Sequence, residues 1–207
     1  MVSPELSHLL VEPSFWKLVG EVNHMTYYGA KELAASFRTV RKNTLQIAEE
    51  IPESQYGFRA APETRSVAEL LVHISSASSL QEQIHGAERR TTLEGFDFPA
   101  FIGRVMAKEK EPRTKAQVIE LLRSDGDRFA AWLESLQEDF LAQHVTFPAG
   151  MTPPSKTRFE MILGVKEHEM HHRAQLMLIE RMLGLVPHLT REMMARFAAM
   201  SQSKASA

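Results

Sequence analysis

His168-Glu169-Met170-His171-His172-Arg173-Ala174-Gln175-Leu176 decides how the rest of the chain is read. The stretch has no helix breaker and lies inside a longer helical pattern. His168 and His172 are four residues apart, so an α-helix stacks them on one face. Two imidazoles at that spacing can grip one metal ion. His171 points about 100° away from His172 and is not expected to share that ion.

Working outward, the helix around this stretch begins near Ser155 or Thr157 and ends at Gly184, with Pro187 just beyond. At about 100° per residue, Met161, Val165, His168, His172, Gln175, Leu176, Ile179 and Leu183 share its inward side. Lys166, Arg173 and Glu180 fall towards the other.

Three more helices are legible upstream. From about Thr26 to Glu50, the residues Leu33, Phe37, Val40, Thr44, Ile47 and Ala48 recur at spacings of three and four. Ser66 is a helix cap, and Glu69 completes its capping box. The helix it starts is expected to reach about Arg89, with Ser66, Leu70, His73, Ala77, Leu80 and Ile84 on one seam. Thr114 and Gln117 form another capping box, before a helix carrying Val118, Leu121, Leu122, Phe129, Trp132, Leu133 and Leu136. Residues 91–113 are too long for a tight hairpin. They read as a crossover with a helical turn around Phe101–Lys108. No stretch reads as a convincing strand, so the expected fold is all-α: a four-helix bundle with a long crossover connection. The expected organisation is an N-terminal arm at residues 1–25, the bundle at 26–186, and a short helix with a polar tail at 187–207.

Composition narrows the function. The chain has 207 residues, 43% of them hydrophobic, enough for one sizeable core. Its formal net charge of -2 lacks the basic excess that nucleic-acid binding uses, so no nucleic-acid partner is expected. No signal peptide pattern precedes the first helix, and no apolar run approaches the roughly 20 residues of a membrane span. A cytoplasmic protein without a membrane partner is expected. Cysteine is absent, so thiolate ligands are excluded, and any thiol chemistry needs a thiol cosubstrate.

The candidate site joins His73 to His168 and His172. Three neutral imidazoles suit a divalent metal, zinc or nickel first, and leave positions for water or substrate. An ion held this way would acidify a bound water or thiol. Burying three imidazoles without partners would cost about 1–3 kcal/mol each. Around the site, Gln175 is placed to orient a ligand, and Glu69 is explained by capping. Small residues Ser75 to Ser79 leave room for a ligand or permit close helix packing. His85 is expected at the surface, and His8, His24, His144 and His188 carry no spacing signal. His168 to His172 also matches the zincin pattern H-E-x-x-H. That reading is set aside because His188, the next histidine, lies past Pro187, and Glu169 falls about 100° off the metal-facing line. No catalytic residue is assigned.

With these residues laid out, the chain resembles the DinB family, including YfiT-like proteins described as metal-dependent hydrolases. The resemblance lies in Ile51-Pro52-Glu53 to Tyr56-Gly57-Phe58-Arg59 with Pro62, in Val67-Ala68-Glu69-Leu70-Leu71-Val72-His73-Ile74, and in the histidine stretch. The last looks like the family's H-x-x-x-H-R-G-Q-L segment, with Ala174 in place of the usual glycine. The resemblance covers roughly residues 26–184. It implies a four-helix bundle with His73, His168 and His172 as metal ligands. It also implies a homodimer and a small-molecule substrate, with a low-molecular-weight thiol as cosubstrate in thiol-dependent S-transferases and isomerases. A non-catalytic metal- or ligand-binding dimeric bundle is the alternative.

Overall fold

The computed structural model describes residues 28–205. The N-terminal arm expected at residues 1–25 lies outside them. Four long segments make the bundle: α1 (Ala30–Glu50), α2 (Val67–Ser76), α5 (Lys115–Glu134) and α7 (Arg158–Met182). α2 continues through α3 (Ser78–Gln81) into a π-helical turn, Glu82–Ala87. The crossover between α3 and α5 carries α4 (Phe98–Glu109), longer than the single turn expected. α6 (Glu138–Leu141) precedes a small hairpin, and α8 (His188–Ala205) closes the chain.

Capping chemistry sets the helix starts. Ser66, Thr114 and Thr157 each accept a hydrogen bond from the backbone N–H three residues on, and the side chains of Glu69, Gln117 and Glu160 accept one from the backbone N–H of the cap. Ser66 and Thr114 start the helices expected of them, and Thr157 is one of the two starts expected for α7. At its other end α7 stops where Gly184 takes φ +78°, a backbone that costs a glycine nothing.

α1 packs against α5 and α7, and α2 packs against the same two, so α1 and α2 sit on one diagonal of the bundle. Two apolar clusters fill it. One joins Ile47, Leu71, Ile74, Leu122 and Leu176; the other joins Leu33, Phe37, Phe129, Leu133 and Ile162. Each such side chain contributes about 1.5–3 kcal/mol by leaving water. The inward residues expected of the first helix, from Leu33 to Ala48, are all buried.

Three expectations are corrected. The sequence showed no strand, yet β1 (His144–Thr146) and β2 (Ser155–Thr157) pair antiparallel. They are three residues each, too short for an alternating pattern to register. His85 was expected at the surface and is 1% exposed. The π-helical turn holds it, and a π turn adds a residue per turn, which rotates this position inward. Its ring accepts from Arg158 Nη1 at 2.8 Å and donates to Gln81 Oε1 at 2.9 Å. Glu180 was placed on the outer side of α7 and is fully buried, in the field of Glu50 of α1 and Arg191 of α8. α8 folds back beside α1 through an Arg191–Glu50 ion pair, and so turns a solvent-facing position into an interior one.

Candidate metal centre

α2 presents His73 and α7 presents His168 and His172 to one point. The three ligand nitrogens lie within 4.8 Å of one another. His73 Nε2 is 3.0 Å from His168 Nε2, and His172 Nε2 is 3.1 Å from the same atom. His171 is exposed and turned away from this point, as its 100° offset implies.

Proton positions make the geometry informative. His73 Nδ1 lies 2.7 Å from Glu109 Oε1. Glu109 itself is clamped by Arg65, whose Nε donates to Oε2 at 2.7 Å and Nη2 to Oε1 at 3.3 Å. A carboxylate held by a guanidinium only accepts, so His73 Nδ1 carries the proton and Nε2 is a bare lone pair. His172 Nδ1 donates to Gln175 Oε1 at 2.8 Å, while the Gln175 amide nitrogen faces His171 Nε2 at 3.2 Å. His172 Nε2 is therefore bare as well. His168 Nε2 can donate to one of its two neighbours and not both. At least one of these close N···N contacts sets lone pair against lone pair.

A cation at the centre removes that conflict. Around a tetrahedral zinc with Zn–N distances of 2.0–2.1 Å, nitrogens sit roughly 3.3–3.4 Å apart. Two of the three spacings, 3.0 and 3.1 Å, are close to that value, and the third is no more than 4.8 Å. The donor set thus fits a divalent ion.

The electrostatics agree. Burial lowers the pKa of His73, and Arg65 adds to this against the opposing pull of Glu109. Burial, then His172 and His73, take His168 down to about 4. Burial lowers His172 too, opposed by its bond to Gln175. All three imidazoles are neutral at pH 7, the form that binds metal. Glu109 and Gln175 fix the tautomers of two of them, as carboxylates and amides behind metal-ligating histidines commonly do. His168 Nδ1 has no partner among the described residues.

The comparisons with known proteins bear on this arrangement. A model of the DinB superfamily matches residues 36–176. The chain belongs to the DinB superfamily. Among its relatives is the uncharacterized protein YjoA of Bacillus subtilis (strain 168), 23% identical over 155 residues, which span 75% of this chain and 91% of YjoA. Among solved structures, YfiT from Bacillus subtilis is described as a probable metal-dependent hydrolase with an unusual four-helix bundle topology. It superposes with a TM-score of 0.59 at 16% identity, over 79% of this chain and 92% of YfiT. The colibactin self-resistance protein ClbS, solved in complex with a double-stranded DNA, gives 0.54 at 15% identity, over 73% of this chain and 95% of ClbS. At these identities the structures establish the DinB bundle fold.

Within that fold, the structure brings together the three histidines singled out in the sequence, with Gln175 hydrogen-bonded to His172. Sequence reasoning missed Glu109 and Arg65. Glu109 stands in the run Lys108-Glu109-Lys110-Glu111, which reads only as part of the crossover connection. Sequence reasoning also passed over Glu169 as a residue off the metal-facing line. Glu169 does face away from the metal side, and it is fully buried against Arg41.

Two chambers open beside the histidines, separated by Arg65, Met106 and Glu109, which line both. One, about 480 Å³, touches His73 and His168 and is walled by apolar residues of α3, α4 and α7. The other, about 650 Å³, touches His172 and Gln175 and carries Arg59, Glu63, Glu69 and Lys110.

Proposed function

We propose that this DinB protein is a metal-dependent enzyme, with His73, His168 and His172 holding a divalent ion, zinc or nickel first, and that it joins a low-molecular-weight thiol to a second, small-molecule substrate. The observation that carries the reading is a single histidine cluster opening onto two chambers, one of which carries Arg59, Glu63, Glu69 and Lys110 beyond the shared Arg65 and Glu109. The charged chamber suits a polar, zwitterionic thiol; the apolar one suits the acceptor. When bound, the ion supplies Lewis acidity that lowers the pKa of a thiol or water beside it. Glu109 keeps the proton on His73 Nδ1 and Gln175 keeps the one on His172 Nδ1, so both rings present Nε2. Arg65 holds the Glu109 carboxyl in place for that role.

Hydrolysis is the variant of this reading in which water replaces the thiol. A non-catalytic metal- or ligand-binding bundle is the second reading, favoured by the unassigned general base. A screen of divalent metals against several low-molecular-weight thiols, with a panel of electrophiles, separates the three. Thiol-dependent turnover that disappears in His172→Ala supports the transferase. Thiol-independent turnover supports the hydrolase, and binding with no turnover supports the module. Full activity in His172→Ala ends the metal reading.

The same proposal places the protein in the cytoplasm as a homodimer, without nucleic acid or membrane as partners. Among the described residues no helix is long and apolar enough to cross a membrane. Met193, Met194, Phe197 and Met200 of α8 are each at least half exposed, an apolar surface that supports self-association.

A further inference from the structure

Gly164 is in an unexpected place. It lies inside α7, one turn before His168, where glycine is the most costly helix residue after proline. No close approach requires it: a Cβ built there meets nothing within 4 Å. The space it leaves belongs to the apolar chamber, whose wall includes Gly164, Val165 and His168 of α7, Leu80 beyond α2, and Phe101 and Val105 of α4.

The chamber has little to offer a charged ligand. Among the described residues, Arg65 and Glu109 are its only charged lining residues; they pair with each other, and Glu109 also accepts from His73. Gln81 Oε1 is taken by His85. Ser76 is different. Its hydroxyl lies in the wall, is buried, and has no hydrogen-bond partner among the described residues. A buried hydroxyl without a partner is costly unless a ligand supplies one.

We propose that this chamber takes an uncharged, largely apolar part of the acceptor substrate, with Gly164 setting the room available and Ser76 Oγ making the one polar contact. This rests on the two-chamber reading above and adds the chemical class of the acceptor. A volume of about 480 Å³ lies within the usual range of small-ligand cavities.

Straight-chain primary alcohols from butanol to decanol test it, titrated calorimetrically into full-length protein, once loaded with zinc and once stripped with chelator. Affinity is expected to rise about fourfold per methylene until the chamber is full. The rise should be the same with and without metal, because the walls are helix side chains. Alkyl carboxylates of equal length should bind at least tenfold more weakly. Gly164→Leu should cut affinity for the longer alcohols at least tenfold and leave zinc stoichiometry unchanged. Gly164→Ala is the folding control: it should raise Tm and retain binding of the shorter alcohols. Ser76→Ala should weaken alcohols about fivefold and leave the methylene increment intact. Failure to bind alcohols, undiminished binding in Gly164→Leu, or carboxylates binding as tightly as alcohols would each overturn the proposal. A protein that binds alcohols but no zinc would overturn the metal reading alone.

Discussion

The two faces of α7 solve opposite problems within one helical turn. On one face His168 and His172 leave three nitrogens crowded and under-protonated, and the site opens to two chambers. On the other face Glu169 is completely sealed. Arg41 of α1 donates to it through Nε at 3.0 and 3.1 Å and through Nη2 at 2.9 Å. The remaining Nη1 donates to the Leu122 carbonyl of α5 at 2.6 Å. Gly126 of α5 makes this possible, since a Cβ there would come within 2.8 Å of Arg41 Nη1 and 2.9 Å of its Cγ. One face is fully satisfied and fixes the rotation of α7 against two neighbours. The other is left unsatisfied, ready for a ligand. The difference teaches that the histidines owe their aim to the ion pair behind them.

The sharpest way to break this comparison is to unpair the sealed face. Glu169→Gln leaves Arg41 buried without its counter-charge and should destabilise the fold by about 3–5 kcal/mol. Replacing both partners, Arg41→Met with Glu169→Leu, should recover most of that stability in urea melts. If aim depends on the pair, the double variant folds and still binds zinc more weakly than wild type. Zinc affinity unchanged in the double variant would show that packing alone orients α7.

The open face is tested next through Glu109. Glu109→Gln can still accept from His73 Nδ1 but loses its charge and the Arg65 clamp. Metal affinity should fall about 10–100-fold, with the fold intact by circular dichroism. An unchanged affinity would reduce Glu109 to a surface ion-pair partner of Arg65.

A smaller effect sharpens the contrast from the far end of α7. Glu180 is buried like Glu169, but neither of its oxygens has a hydrogen-bond partner among the described residues. Burial, reinforced by Glu50, raises its pKa to about 7. In the unfolded chain the group ionises near 4.5. Its protonated form suits the fold, so its contribution is intact below pH 4.5 and is lost as pH rises through about 7. Glu180→Gln should therefore stabilise the protein by about 1–3 kcal/mol at pH 8 and by almost nothing at pH 4. Equal effects at both pH values would mean that Glu180 does not titrate in this range.

How legible this was depended on whether a residue's neighbour was local. Ser66 with Glu69, and Thr114 with Gln117, are pairs three residues apart, so the helix starts could be read directly. His168 and His172 are likewise local, and His73 followed from its apolar seam. Arg41 and Glu169 are 128 residues apart, and no spacing rule joins them. Angular counting placed Glu169 off the metal line correctly and could not say what it faced instead. Glu109 needed the docking of α4 on α2, which decides which of four successive charges turns inward. His85 needed the π turn, and Glu180 needed α8 folded back over it. In each case the side was set by a tertiary event rather than by helical periodicity.

Cobalt(II) titration of chelator-treated protein, followed by visible absorption, tests the central claim most directly, because the spectrum reports ligand type and number. The account predicts one ion per chain and a spectrum of nitrogen ligation with exchangeable solvent. That spectrum should be lost in His168→Ala, His172→Ala and His73→Ala alike. Absence of binding, or an undisturbed spectrum in any one of these variants, would contradict it.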